Sequence, residues 1–255
     1  MRADWLFIAD AHLREWNLEQ QTRIVQFLER EKENMEVLVI LGDLFEFWFG
    51  FEPFAFEGYR PLLDKLEELV KAGVQIRYLE GNHDFVLGTY FEETLEAKIA
   101  SHESELDLDG KRIYLAHGDL VNRKDRFYAI FRRLLRNALT YWLIRRAGPK
   151  VTKKVARFLS SVSSGKGGPQ NPEKIERIFH EFALEKMREG FDVVILAHNH
   201  LPQGRSFEIN GRQTHYFNVG DWIDHFSFLR YRRGRGFTVE YLQGQDETER
   251  KKEKG

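Results

Sequence analysis

Trp5-Leu6-Phe7-Ile8-Ala9-Asp10-Ala11-His12 is a short apolar run that ends in a carboxylate and an imidazole, and Val37-Leu38-Val39-Ile40-Leu41-Gly42-Asp43 repeats the arrangement. Runs that are apolar throughout, rather than alternating, read as strands buried on both faces. Between them Leu18, Ile24, Val25, Phe27 and Leu28 recur at roughly helical spacing among Glu, Gln and Arg, which gives strand, helix, strand. The same unit follows as a helix over Arg60 to Ala72, closed by Gly73, and a strand over Val74 to Leu79 that runs into Gly81-Asn82. Asp109-Gly110 and Asn210-Gly211 mark hairpins, because these pairs readily take the positive φ of a tight turn, and Arg233 to Gly236 marks a third. A helix from Pro172 to Arg188 leads into Phe191-Asp192-Val193-Val194-Ile195-Leu196, a strand ending at Ala197-His198. The alternation predicts an α/β fold.

The segment 123–168 has a different texture. Phe127, Ile130, Phe131, Leu134, Leu135, Leu139, Trp142, Leu143 and Ile144 are set among thirteen arginines and lysines, against one acid, Asp125. It reads as a basic, amphipathic helical insertion between two parts of a core, 1–122 and 169–245, with a charged tail over 246–255.

Across all 255 residues, 42% are hydrophobic and 31% charged, and the formal net charge of -1 gives no overall field for nucleic acid. With no cysteine, disulfides, thiolate metal sites and cysteine nucleophiles are excluded, so any metal must be held by nitrogen and oxygen. Neither a leader at the N-terminus nor an apolar run of membrane-spanning length is found, and a cytoplasmic location is expected.

Ligands bind beyond the carboxyl ends of strands in such sheets, so the polar residues there are the ones to collect. They are Asp10-Ala11-His12, Gly42-Asp43, Gly81-Asn82-His83-Asp84, His117-Gly118-Asp119 and Ala197-His198-Asn199-His200. All are hard or borderline donors, suited to Mn²⁺, Fe or Zn²⁺, and they are too many for one ion. In an extended segment residues i and i+2 share a face, so Asp10 with His12, and His198 with His200, are expected to converge pairwise. A carboxylate that bridges and an amide that adds no charge suit Asp43 and Asn82 to the centre of a two-ion site, which clamps the attacking and departing oxygens of a phosphoryl displacement. Asp84 and Asp119 read as groups that orient ligands or cap turns. His102, His180, His215 and His225 fall in no motif and read as surface or packing histidines.

The ordered series D-A-H, G-D, G-N-H-D, H-G-D and H-N-H resembles the five motifs of the calcineurin-like metallophosphoesterase superfamily. The resemblance implies a four-layer α/β/β/α fold in which Asp10, His12 and His200 hold one ion and Asn82, His117 and His198 the other, with Asp43 bridging. It also implies that His83 contacts the phosphate and helps protonate the leaving group. Gly42-Asp43-Leu44-Phe45-Glu46 with Trp48 and Gly50, Asn82 with Asp84-Phe85, Asp125 with Tyr128, and Gly220-Asp221-Trp222 are similar to one branch, the UDP-2,3-diacylglucosamine pyrophosphatases of lipid A biosynthesis.

That likeness reaches to about residue 230. It implies cleavage at the nucleotide-side phosphorus to UMP and a diacylated sugar phosphate, two divalent ions, usually Mn²⁺, and substrate contacts from Asn82, Asp125, Tyr128, Arg157, Ser160 and Lys166. The basic insertion then implies a peripheral position on the cytoplasmic face of the inner membrane. The length suits a monomer. The branch has arginine where this chain has His83, and glycine and threonine in place of Ala197 and Asn199; the histidine restores the superfamily's own motif, which keeps the core chemistry and loosens the substrate assignment. A nuclease of the same superfamily is the competing reading, since DNA presents the same bond to the same ions. Against it stands the apolar content of the insertion, so no nucleic acid is expected. Kinase and dehydrogenase readings fail for want of G-x-x-x-x-G-K-[ST] and G-x-G-x-x-G.

Overall fold

The computed structural model describes residues 3–50, 57–122 and 171–242, together with Asn137, Thr140, Trp142 and Arg146. The apolar runs form β1 (Asp4–Ile8) and β2 (Met35–Ile40), which pair in parallel. Between them α1 (Leu18–Glu31) is capped by Asn17, whose side chain accepts from the Gln20 N–H. The two-residue β3 (Trp48–Phe49) precedes α2 (Arg60–Lys71), which starts with Pro61 in its first turn and gives way at Gly73 (φ 91°) to β4 (Gln75–Leu79), parallel to β2. Next come β5 (Asp84–Val86), β6 (Lys98–Ala100), β7 (Glu103–Leu108) and β8 (Lys111–Ala116). After the insertion, α3 (Pro172–Arg188) and β9 (Val193–Leu196) are followed by the hairpins β10 (Gln203–Ile209) with β11 (Arg212–Asn218) and β12 (Ser227–Arg232) with β13 (Gly236–Tyr241).

Two sheets result, in the orders β13-β12-β1-β2-β4-β6 and β10-β11-β9-β8-β7. Alternate residues of β2 explain how they stack. Leu38 and Ile40 pack with Ile24, Phe27 and Leu28 of α1 and Leu62, Leu66 and Leu69 of α2. Val37 and Val39 turn the other way, onto Ile113, Leu115, Val193 and Ile195 of the second sheet. The far face of that sheet, through Tyr114, Val194 and Tyr216, is covered by Phe179, Ala183 and Met187 of α3. The layers are therefore helix, sheet, sheet, helix, as the resemblance implies. Burial on both faces is why the central strands are apolar throughout.

The helices and hairpins read from the sequence outside 123–168 fall where expected, but three small elements had no period to betray them. Trp48 pairs with Asp84 in the β3–β5 ribbon, β6 adds an edge to the first sheet, and Tyr90–Thr94 forms a π-helical turn. The ribbon and the π-helical turn meet in an aromatic cluster in which Trp48 stacks on Phe45 at 4.5 Å and meets Phe91 edge-on at 5.2 Å. The Trp48 indole N–H donates to the Leu87 carbonyl at 3.0 Å, and its backbone N–H to the His83 carbonyl at 3.2 Å. The cluster thus anchors the loop that carries Asn82 and His83. The insertion 123–168 lies outside the described residues apart from Asn137, Thr140, Trp142 and Arg146; the last three are helical, and the Arg146 guanidinium sits 5.2 Å from the Trp142 ring.

Candidate metal centre

Beyond the carboxyl ends of β1 and β9 the chain does not stay extended. Asp10, His12, His198 and His200 have φ of 49°, 43°, 69° and 59°, and Asp43 after β2 has 53°. This corrects the expectation that alternation along a strand brings each pair together: the pairs converge because the backbone turns left-handed past the strand end. Each such non-glycine residue costs about 1–3 kcal/mol of strain, which surrounding structure must overdetermine. Gly42 and Gly81 allow the close approach. A Cβ on Gly81 would lie 2.1 Å from Asp43 Oδ1, and one on Gly42 would lie 2.6 Å from His117 Nδ1.

The expected ligands gather at one place. His117 Nδ1 is 2.7 Å from the Leu41 carbonyl, which can only accept, so Nδ1 carries the proton and Nε2 is free to ligate. Around that Nε2 stand Asn82 Oδ1 at 3.1 Å, His198 Nδ1 at 3.2 Å and Asp43 Oδ2 at 3.3 Å. Donors that share one ion at bonds of about 2.1 Å stand roughly this far apart. On the other side His12 Nε2 lies 3.8 Å from Asp43 Oδ2 and 3.9 Å from Asp10 Oδ1, and His200 Nε2 lies 3.8 Å from Asp10 Oδ1. Asp43 therefore faces both groups, as a bridge should. Asp10 does too, since its Oδ1 is also 3.9 Å from His117 Nε2, which is more than a place on one ion alone requires.

Protonation shows how much the site wants a cation. Burial pushes the Asp10 carboxyl up to about 6, and Asp10 Oδ1 is buried with no hydrogen-bond partner while three imidazole nitrogens stand just out of reach. Burial also opposes charge on His117, but the Asp43 and Asp10 carboxylates outweigh it and push the group up to about 10. Burial lowers His12 to about 3 and, with the charge of His117, His198 to about 4. Asp43, against its own burial, is held well below its ordinary value by His117 and His83. One imidazolium stands in for the charge that these carboxylates need. A divalent ion fits the donor set better: it would ligate the orphaned oxygen and leave the imidazoles neutral. Asp10, Asp43, His117 and His198 form one group able to hold an ion, and Asp10, His12 and His200 another.

Asp84 works behind these ligands. It accepts from the Asp43 N–H at 2.8 Å, the Gly81 N–H at 2.9 Å and the Tyr78 hydroxyl at 2.9 Å, so it ties two ligand loops together. His83 sits in front of them, with its backbone N–H donating to Asp43 Oδ1 at 2.8 Å. Its Nδ1 is 2.6 Å from the Glu46 carbonyl, so that nitrogen carries the proton and Nε2 is left for other work. Nothing in the motif spacing singles out His225. Its Nδ1 lies 2.6 Å from Asp221 Oδ2, and the same oxygen is 3.9 Å from His200 Nδ1. Burial would raise the Asp221 carboxyl, but the His225 hydrogen bond and the N–H groups of Asp224, His225 and Ile223 bring it down to about 2. An i, i+4 Asp–His pair beside Trp222 was the only trace of this in the sequence. Asp125, Tyr128, Arg157, Ser160 and Lys166 lie outside the described residues.

A family model of calcineurin-like phosphoesterases matches residues 5–202, and the chain belongs to that family. It is a metal-dependent hydrolase. Its relatives include a UDP-2,3-diacylglucosamine hydrolase of Pseudomonas paraeruginosa, 30% identical over 218 residues that make up 85% of this chain and 90% of that protein. A UDP-2,3-diacylglucosamine hydrolase of Aeromonas salmonicida is 30% identical over 231 residues, 88% of each chain. A solved dimetal phosphatase of Danio rerio has 14% identity and a TM-score of 0.49, over 93% of this chain and 95% of that one.

Proposed function

We propose that this protein hydrolyses the pyrophosphate of UDP-2,3-diacylglucosamine to UMP and 2,3-diacylglucosamine 1-phosphate, a step of lipid A biosynthesis. The observation that carries the substrate is the likeness, over most of the chain, to hydrolases named for it. In this reading Asp10, His12 and His200 hold one divalent ion and Asn82, His117 and His198 a second, with Asp43 shared and Mn²⁺ suited to the mixed nitrogen and oxygen set. When bound, such a pair supplies Lewis-acid polarisation of phosphoryl oxygens and a lowered pKa for the attacking water. Water's oxygen joins the nucleotide-side phosphorus, the bridging P–O bond breaks, and the departing oxygen takes up a proton. His83 is the residue to give it: with Nδ1–H fixed on the Glu46 carbonyl, Nε2 is the nitrogen that donates when the ring is charged. Asn82, Asp125, Tyr128, Arg157, Ser160 and Lys166 contact the substrate in this reading.

The core, 1–122 and 169–245, carries the chemistry, and the insertion 123–168 brings it to the substrate. No helix among the described residues is long and apolar enough to cross a membrane. Thirteen bases against one acid would hold a monomer at the anionic cytoplasmic leaflet of the inner membrane. The test is a comparison, with Mn²⁺, of UDP-2,3-diacylglucosamine, bis(p-nitrophenyl) phosphate and single-stranded DNA. The UDP-linked lipid should have the highest kcat/KM and yield UMP. Preference for DNA would establish the nuclease reading instead.

A further inference from the structure

The turn that carries Asp10 and His12 is held along two edges. On the first the bonds are backbone only: the Asp10 N–H donates to the Gly42 carbonyl at 3.2 Å and the His12 N–H to the Asp43 carbonyl at 2.9 Å. On the second, the Trp222 N–H donates to the Asp10 carbonyl at 3.2 Å, and the carbonyl of Ala11, between the two ligands, accepts from Gln20 Nε2 at 2.6 Å. The same Nε2 donates to the Trp222 carbonyl at 3.3 Å. An amide nitrogen has two protons, and both are used. Asp10, Ala11, Gln20 and Trp222 thus close a ring of three hydrogen bonds. We propose that Gln20 is the positioning residue for the ion held by Asp10, His12 and His200, an inference that rests on the two-ion reading just given and adds what keeps one of its ligand sets in place.

The ring reaches all three ligands. Asp10 and His12 flank the carbonyl that Gln20 grips, and both sit at positive φ, a conformation that relaxes unless contacts around it hold it. His200 is reached through Trp222. The preceding residue, Asp221, has its Oδ2 3.9 Å from His200 Nδ1, and its Oδ1 accepts from the N–H groups of Ile223, Asp224 and His225 at 2.8, 2.6 and 3.1 Å. The Trp222 carbonyl therefore belongs to the same tight turn as the carboxylate behind His200. One side chain joins the turn that bears two ligands to the turn that backs the third.

Gln20 is itself fixed. It lies in the first turn of α1, where its N–H donates to Asn17 Oδ1 at 3.2 Å and its Oε1 accepts from Asn17 Nδ2 at 3.4 Å. The helix is anchored below by Ile24, Phe27 and Leu28 in the core. The other ligand set has separate support, from Asp84 between Asp43 and Gly81 and from the Leu41 carbonyl on His117. Loss of Gln20 should accordingly fall on one ion. The next residue is a matched control within the same helical turn: Gln21 Nε2 also donates to two carbonyls, those of Arg14 at 3.0 Å and Gly58 at 2.8 Å, and neither residue adjoins a ligand.

The experiment is titration of Mn²⁺ into the metal-free full chain, with the free ion counted by its EPR signal, for the unmodified protein, Gln20→Met, Gln20→Glu and Gln21→Met. Circular dichroism melts establish which variants fold. Met keeps the length of the side chain and removes both donors. Glu removes them too, yet an acid in the first turn suits the helix, and its charge alone would strengthen cation binding, so weaker binding there must come from the lost ties. Both Gln20 variants should bind one of two ions about 10–100-fold more weakly, the usual cost of losing support behind a ligand, and the other as before. Gln21→Met should bind both normally, whatever it loses in Tm. Normal affinity for both ions in folded Gln20 variants, equal loss of both, or the same loss in Gln21→Met overturns the proposal. Should Gln20→Met not fold, Gln20→Glu decides alone. If the unmodified chain does not bind two ions, the two-ion reading is wrong and this inference falls with it; if it does and the Gln20 variants match it, only the role of Gln20 is misassigned.

Discussion

The two ends of β1 gather buried charge in opposite ways. At its start, the nearly buried guanidinium of Arg230 lies 2.9 Å from each of Asp4 Oδ2, Glu31 Oε2 and Glu240 Oε2, contributed by β1, the end of α1 and β13. Every charge there finds its partner within the chain, on regular backbone. Just past the other end, Asp10 is fully buried with an oxygen that bonds to nothing, three imidazoles wait at 3.8–3.9 Å, and Asp10, His12, Asp43, His198 and His200 are held at positive φ. A closed cluster of this kind fastens elements together. An open one, kept apart by strain that the fold sustains, is short of a cation.

The largest effect should come from the open end. Asp43→Ala should abolish turnover, because the carboxylate facing both groups is gone, and the protein should remain folded. Asp10→Asn should likewise remove the rise in Tm that Mn²⁺ gives the unmodified chain, since only an ion that binds the folded state stabilises it. Near-normal activity of Asp43→Ala, or turnover indifferent to exhaustive chelation, would break the contrast.

Next, His83→Ala should lower kcat by roughly 10²–10⁴, the worth of a general acid, with Mn²⁺ content preserved. The loss should be smaller for a substrate that departs as a stable phenolate, and equal losses on good and poor leaving groups would reduce His83 to a charge that positions phosphate. At the closed end, Arg230→Ala should cost about 3–5 kcal/mol in urea unfolding, because three carboxylates lose their common partner, and should leave Mn²⁺ affinity alone. A mild loss there would mean that the cluster closes nothing. The smallest effect concerns the layer behind the ligands. Asp221→Asn should weaken Mn²⁺ binding by about 10–100-fold, measured by competition with a chelator, through poorer orientation of His200. Unaltered affinity would make Asp221 a turn cap only.

Much of this was legible without coordinates, and unevenly so. Asp10, His12, Asp43, Asn82, His117, His198 and His200 announce themselves because each follows an apolar strand, where ligands of α/β sheets bind; that they follow strands of two stacked sheets whose ends meet is shown only by the fold. Asp84 was visible as a group that orients ligands or caps a turn, but not as the one acceptor that joins Asp43 to Gly81. His225 was invisible, because its partner Asp221 acquires meaning only when the chain after β11 folds back against His200. Arg14, Asn17, Gln20 and Arg23, which line a cleft beside the metal centre, read on their own as the solvated start of an ordinary helix.

What the sequence by itself determined is the order of the main elements and the donor set, since burial and hydrophobic period are local and repeat along the chain; the layers were implied only by the family resemblance. What only the tertiary structure decided is how those donors converge and what stands around them. The pairs Asp10 with His12 and His198 with His200 are brought together by left-handed turns rather than by strand alternation. Whether a buried carboxylate such as Asp4 or Asp10 is answered from within depends on side chains far apart in sequence. A linear pattern records that a charge is present, but the distance to its partner, and so whether it fastens the fold or waits for an ion, is set only when the chain has closed on itself.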